Sequence, residues 1–409
     1  MPKINSIGLM WENLEYGGMC STIEDLLNSK IFRNVKVTFF TNTSNKTIRL
    51  LNDNLSNNNV KFVYYRSLNI FNSKNFFLKI GFFLLKPLLF ILSIVQFFFI
   101  LKKYRFDIFF AECGGYGGFR SEMASVIAGK LLNYPKIIMA IHHEYNSPKV
   151  WGNTIKLINF FIGKILSSLI FNSYAVKNNI NKKAPLIKKI KKQIVIHLGV
   201  KKDVNHIDKI NLKKKFFKKE NKFNVAIISR IERAKGHMNL ILAFNKLSQN
   251  MKKQFKFFFI GVDSDNTIAE LKDKINFLGL NDYFLFTGYL KTDKGSIFKN
   301  LDLLVSLTTT FEGFGLSIAE SMLYGVPVIA TDVGAVSEFV NNKNGKLIKP
   351  NNEKEVIKAL KSFANSNNQW KNRAKIAKKN IIKQFSVNKM ANLYMNHFIN
   401  IKSNDTKNN

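Results

Sequence analysis

Short apolar runs that break at glycines or charges, each followed by a helical period, restrict the fold of this chain more than any other feature. Ile4 to Met10 leads into Gly17-Gly18 and a helix over about Cys20 to Lys30, with Val35 to Phe40 as the next strand. Asp107 to Glu112 repeats the unit, running into Cys113-Gly114-Gly115-Tyr116-Gly117-Gly118 and a helix to about Leu132, and Ile137 to Ile141 follows. In the second half Asn224 to Ser229, Phe257 to Gly261, Phe284 to Tyr289 and Leu301 to Leu307 continue the alternation. Buried strands separated by helices cannot pair as hairpins, so the pattern predicts parallel sheets covered on both faces, a doubly wound α/β class. With 409 residues, 46% of them hydrophobic, there is material for two such domains.

The densest chemistry lies in Phe311 to Val340, FEGFGLSIAESMLYGVPVIATDVGAVSEFV. Glu312 stands in an aperiodic loop and Glu320 in the helix that starts near Gly315 and stops at Gly325. A helix beginning at glycines offers unbonded N–H groups and a positive dipole end, which suits a phosphate or a polyol. Taken alone, the same two residues also fit a loop glutamate and a solvated helix glutamate. A second cluster follows the strand at Asn224, where Arg230, Lys235 and Gly236 precede a helix from about His237. Chemically this is a diphosphate clamp, with Arg able to bind in a bidentate way and Lys adding a point charge.

The register E-x(7)-E with Phe-Gly-Leu, then ESM-x-x-GVPVIATDVG and Ser337-Glu338, resembles the retaining family-4 glycosyltransferases. Arg230 to Gly236 is similar to that family's G-R-L-x-x-x-K-G motif, with Ser229 in place of the first Gly. The fold this implies is GT-B, two Rossmann-like doubly wound domains facing across a cleft. They would be residues 1–205 with a returning helix 387–401, on the acceptor and membrane side, and 222–385 for the nucleotide sugar.

The resemblance also implies roles. Glu320 bonds the ribose hydroxyls, Glu312 lies at the donor sugar, and amides around Phe314, Gly315 and Leu316 meet sugar hydroxyls. Arg230 and Lys235 hold the pyrophosphate, the turn at Gly288 edges the base, and the Gly17-Gly18 loop lies over the diphosphate. His142, at the end of the strand Ile137 to Ile141, falls where the family has an active-site histidine. On its own a histidine after a buried strand is more often a hydrogen-bonded structural residue than one that serves a reacting hydroxyl. Leu198 stands where the family has Asn, so any role of that amide is absent or supplied elsewhere. The implied reaction is hexosyl transfer from a nucleotide diphosphate sugar to a carbohydrate or lipid-linked hydroxyl with retained configuration. No metal and no cofactor are implied, because the cations are built into the chain. Asp263-Ser264-Asp265, in a loop after a strand, reads as turn chemistry.

Phe76 to Leu101 is the most hydrophobic stretch, interrupted by Lys79, Lys86, Pro87 and Gln96. A true span would put the first strands and the strand at Asp107 on opposite sides of a bilayer. One or two helices in the membrane surface are therefore expected, with Phe97 to Phe99 on the lipid side; a buried helical hairpin is the alternative. Net charge is +36, from 63 basic and 27 acidic residues, which suggests an anionic partner. No zinc spacing, RNA-binding aromatic signature or basic coiled coil supports nucleic acid, and an AT-rich coding sequence accounts for part of the lysine excess. Cys20 and Cys113 form no disulfide framework, and the start shows no signal peptide. The expected location is cytoplasmic, peripheral at the inner face of the membrane, in lipid-linked oligosaccharide or cell-surface polysaccharide assembly of a bacterial envelope. Residues 402–409 read as a disordered tail.

Competing readings keep distinct signatures. An epimerase of the same fold converts the nucleotide sugar without an acceptor, and a phosphorylase needs a Lys-bound pyridoxal group. A basic membrane-scaffold or nucleic-acid-binding protein binds polyanions whether or not Glu320 is present.

Overall fold

The structure is a computed structural model that describes residues 3–12, 18–42, 51–68, 76–145, 151–185, 187, 190, 192–202, 212–217, 221–290 and 292–403. It divides into two units, Met1–Gly199 with Val387–Asn409, and Val200–Ser386.

The first unit is built on β1 (Ser6–Met10), β2 (Lys36–Asn42), β3 (Val60–Tyr65), β4 (Ile108–Cys113), β5 (Ile137–Ile141), β6 (Ser168–Phe171) and β7 (Gln193–Val195). They form one sheet in the order β3-β2-β1-β4-β5-β6-β7, and each paired neighbour is parallel. β4 and β5 are buried along their whole length, which is why Ile-Phe-Phe-Ala and Ile-Ile-Met-Ala-Ile are apolar without alternation. β3, at the sheet edge, is mostly half exposed, and its mixed sequence hid it from periodicity. After β6, Ser173 accepts the Val176 N–H at 3.1 Å and caps the helix Tyr174–Lys183, as its sequence indicates.

The closing helix Val387–Ser403 packs on this unit: the Phe398 ring lies 5.2 Å from that of Phe110, and His397 Nε2 2.7 Å from Ser168 Oγ. It outruns the expected end at 401. Lys402 and Ser403 are helical, and Lys402 Nζ sits 2.6 Å from Asp107 Oδ1, so a buried-edge carboxylate holds what reads as tail. Residues 404–409 lie outside the described residues.

Among the described residues between β3 and β4 runs one helix, Phe76–Leu101, continuous through Pro87 rather than a hairpin. Its inner face buries Phe90, Ser93, Phe97 and Leu101, with Phe97 edge-on to Tyr65 at 4.9 Å and Phe90 5.6 Å from Phe119. Phe97 therefore faces the protein core and not lipid, whereas Phe99 is exposed. By length and composition Ile80–Leu101 could cross a membrane. The strands on either side of it belong to one sheet, so crossing would tear that sheet apart.

The second unit carries β8 (Phe223–Ile228), β9 (Phe255–Ile260), β10 (Phe284–Gly288), β11 (Leu303–Ser306), β12 (Val328–Thr331) and β13 (Lys346–Ile348). Their order is β10-β9-β8-β11-β12-β13, again parallel throughout. Phe244, Phe257 and Trp370 anchor one side of the sheet. On the other side Leu212 and Phe217 join Ala226 and Phe258, so part of the stretch left between 205 and 222 is core of this unit and the boundary lies before 205.

Candidate active site

Since every strand of the second unit runs the same way, the segments after β8, β10, β11 and β12 emerge at one carboxyl edge, where open α/β sheets bind ligands. Arg230 and Lys235 follow β8, Gly288 ends β10, and Glu312 lies in the loop after β11.

Three loops are fastened together there. The Thr309 N–H donates to the Ala234 carbonyl at 2.8 Å, joining the β11 loop to the β8 loop. Gly236 has φ +75°, and a Cβ on it would lie 2.1 Å from the Leu307 carbonyl oxygen, so only glycine permits that approach. From the β12 side the Ala335 N–H donates to the Glu312 carbonyl at 2.8 Å, and a Cβ on Gly334 would fall 2.1 Å from that same oxygen. The result sets Lys235 Nζ 2.8 Å from Glu312 Oε2, with Thr308 Oγ1 donating to the same oxygen at 3.2 Å. Both charged side chains are about four-fifths buried, being 18% and 19% exposed. A pair this sheltered is held by geometry and resists screening by salt.

Gly315, at φ +92°, opens the helix Leu316–Tyr324, and Gly325 closes it in the left-handed region. The first intrahelical bonds are from Ile318 and Ala319 to the Gly315 carbonyl. The amides of Leu316 and Ser317 precede them and have no acceptor within the helix, so the positive helix end opens beside Glu312. The Phe314 ring turns away to stack on Phe339 at 5.1 Å, leaving only its backbone for a ligand.

Glu320, in the second turn of that helix, pairs with Lys294 Nζ at 2.5 Å. Lys294 was not singled out from sequence. Its signal is the helix start Asp293-Lys294-Gly295-Ser296 after β10, where Asp293 accepts the Ser296 N–H at 2.8 Å. Arg230 does not join the Lys235–Glu312 pair: its guanidinium meets Glu232 at 3.3 Å with more than half of the side chain exposed. So loose a surface pair contributes little and leaves the guanidinium able to turn to an anion. Asp263 Oδ1 accepts the Thr267 N–H at 2.9 Å, turn chemistry that starts the helix Thr267–Phe277.

In the first unit His142 follows β5 and its Nε2 bonds Glu112 Oε2 at the end of β4. The main chain of His142 is pinned on both sides, its N–H to the Cys113 carbonyl at 3.1 Å and its carbonyl by Asn172 Nδ2 at 2.9 Å. The ring is buried, and Nδ1 meets no hydrogen-bond partner among the described residues. Sequence reasoning found the histidine but neither Glu112 nor Asn172 as its supports. Gly18 begins the helix Gly18–Leu27 and is exposed, while Gly17 lies outside the described residues. Leu198, in place of the family's Asn, is buried.

Residues 208–382 match the family described as Glycosyl transferases group 1. An uncharacterized glycosyltransferase of Methanocaldococcus jannaschii is 26% identical over 323 residues, 76% of this chain and 80% of that protein. The lipopolysaccharide core biosynthesis mannosyltransferase LpsB of Rhizobium meliloti is 40% identical over 98 residues, 23% of this chain and 27% of its own length. Among solved structures, a glycosyltransferase from Rickettsia africae superimposes with a TM-score of 0.76 at 22% identity, covering 98% of this chain and 100% of the other. Anabaena HepE in complex with UDP gives 0.74 at 18% identity, covering 97% and 100%. The fold is thus GT-B, with two parallel-sheet Rossmann-like units, and the match to group 1 glycosyltransferases falls within the second unit.

Proposed function

We propose that this chain is a retaining, metal-independent glycosyltransferase that moves a hexosyl group from a nucleotide diphosphate sugar to a hydroxyl. The observation that carries the reading is the Lys235–Glu312 pair, set beside a helix that opens at Gly315, inside the domain matched to group 1 glycosyltransferases. Transfer breaks the bond between the anomeric carbon and the diphosphate oxygen and forms one to the acceptor oxygen. Positive charge grows at the carbon and negative charge on the leaving diphosphate. Lys235 and the Leu316 and Ser317 amides supply fixed positive charge for that diphosphate, the electrostatic task by which enzymes gain most, and the loosely held Arg230 turns to it. Glu312 then orients the sugar, and Glu320 holds the ribose. No side chain is cast as a covalent nucleophile: the departing phosphate accepts the acceptor's proton on the same face, which retains configuration. His142 takes a substrate hydroxyl.

Uridine diphosphate sugars are the first donors to try, given HepE, and a glycan or lipid-linked acceptor of surface polysaccharide assembly, given LpsB. The deciding experiment measures nucleoside diphosphate release from a panel of nucleotide sugars with and without hydroxyl acceptors, followed by NMR of the product anomer. Acceptor-dependent release with retention is the expected result. Conversion of the nucleotide sugar without acceptor would make the chain an epimerase, and an inverted product would remove the front-face step.

A further inference from the structure

We infer that the outer face of the helix Phe76–Leu101 docks the first unit onto an anionic lipid bilayer, at the inner face of the membrane, without entering it as a span. The inner face of this helix is fixed to the core by Phe90 and Phe97, so its outer face is presented on a rigid body. Along that face run Ile80, Leu84, Leu88, Ile91, Val95 and Phe99, each between 43% and 59% exposed. Steps of three and four residues place them in one continuous stripe, roughly 28 Å long at helical rise. Exposed apolar stripes of this extent on a water-soluble surface mark a binding face.

Charge selects the occupant. The helix contains no Asp or Glu, and its one interior cation among described side chains, Lys86, is half-buried beside Phe82 and Phe83. At its end Lys102 and Lys103 are exposed, with Lys102 Nζ 4.6 Å over the Phe99 ring, an apolar anchor carrying a cation at headgroup height. The helix Gly152–Ile165 adjoins it where Trp151 meets Phe83 and has the same character: no acid, exposed Leu157 and Phe161, and Lys164 over Phe160 at 4.2 Å. A second copy of a chain with net charge +36 would bring lysine against lysine across this stripe. An anionic leaflet offers the opposite charge together with an apolar layer below it.

The test is co-sedimentation of the full chain with vesicles of phosphatidylglycerol and phosphatidylcholine, against vesicles of phosphatidylcholine alone. The parent should pellet with the anionic vesicles and far less with the neutral ones. Leu84→Gln with Leu88→Gln and Ile91→Gln should lower the partition coefficient by more than about ten-fold. Because those side chains are exposed, the melting temperature and donor turnover in detergent should stay at parental values. Lys102→Gln with Lys103→Gln should weaken binding roughly five-fold per lysine at low salt. A parent that stays in the supernatant, a triple variant that binds as the parent does, or equal binding to neutral vesicles would each overturn the inference. So would a parental dimer that the triple variant converts to monomer, since a second copy would then occupy the stripe. Donor turnover is scored separately, so loss of docking and loss of the transferase reading cannot be confused.

Discussion

Lys235 Nζ lies 2.8 Å from Glu312 Oε2, although the two residues are 77 apart in sequence and leave different strands of the second sheet. Without the donor, the lysine neutralises a mostly buried carboxylate. On the proposed function, a diphosphate would give the same ammonium a second anion to serve and would couple donor binding to the position of Glu312.

Lys235→Ala removes the only charge fixed on that carboxylate by an ion pair among the described residues and, on the proposed function, withdraws charge from the leaving group. Turnover should fall about 100-fold, as for loss of one preorganised donor to a developing anion. Lys235→Arg should recover part of this, because charge is kept while the point geometry is not. Steady-state kinetics of both variants decide it, and a Lys235→Ala enzyme within a few-fold of the parent would remove Lys235 from the reaction.

Glu320 and Lys294 separate binding from chemistry. Glu320→Ala should abolish the thermal protection given by nucleoside diphosphates. Lys294→Ala should leave part of it, since the carboxylate proposed to hold the ribose survives without its 2.5 Å partner. Differential scanning fluorimetry with UDP and other nucleoside diphosphates reads both. Full protection of Glu320→Ala would displace the nucleotide from this helix.

Gly334 tests whether the loop lock matters. It has φ +56°, and a Cβ would sit 2.1 Å from the Glu312 carbonyl oxygen, whereas Gly279, at φ +63°, has open space around its Cβ position. Gly279→Ala should cost about 1 kcal/mol for backbone strain alone. Gly334→Ala should cost about 3 kcal/mol and depress turnover further, because the main chain of Glu312 must move. Urea unfolding and turnover of the two variants give the comparison, and equal costs would mean that the loop relaxes freely.

His142 is bound through Nε2 to Glu112, and sequence reasoning identified the ring but not its support. His142→Ala should lower turnover while the nucleotide dissociation constant stays near the parental value. Glu112→Gln, which keeps an acceptor for Nε2–H but loses the charge, should fall between the two. Unimpaired turnover of His142→Ala would reduce the Glu112–His142 pair to a structural one.

Local signals account for what the sequence made legible. The apolar runs of β1, β4, β5, β8 and β9 announced parallel sheets because both faces are buried, and Gly315 announced its helix by conformation. Pairings across the sheet edge left no such trace: Lys294 with Glu320 and Glu112 with His142 arise from crossover connections. The helix Phe76–Leu101 shows the limit most clearly. Phe97 and Phe99 are alike in composition and two residues apart, and only packing against Tyr65 buries one and exposes the other.

Acid sensitivity follows from two buried imidazoles, one in each unit. Burial pushes His237, packed against the Phe259 ring, down to about 4, and does the same to His397, which also feels Lys192. In the unfolded chain both titrate near 6.5. Their contribution is therefore fully present above pH 6.5, declines as pH falls toward 4 while the unfolded chain takes up protons that the folded chain refuses, and is flat below. At about 1.36 kcal/mol for each pH unit between 6.5 and 4, the loss reaches roughly 3 kcal/mol for His237 and less for the more accessible His397. His397→Gln keeps a donor for Ser168 Oγ and has no imidazole to protonate, so its unfolding free energy should depend less steeply on pH between 6.5 and 4 than the parent's. Denaturant unfolding at pH 7.5, 6 and 5 measures the slope, and parallel slopes for parent and variant would exclude His397 as a source of the acid loss.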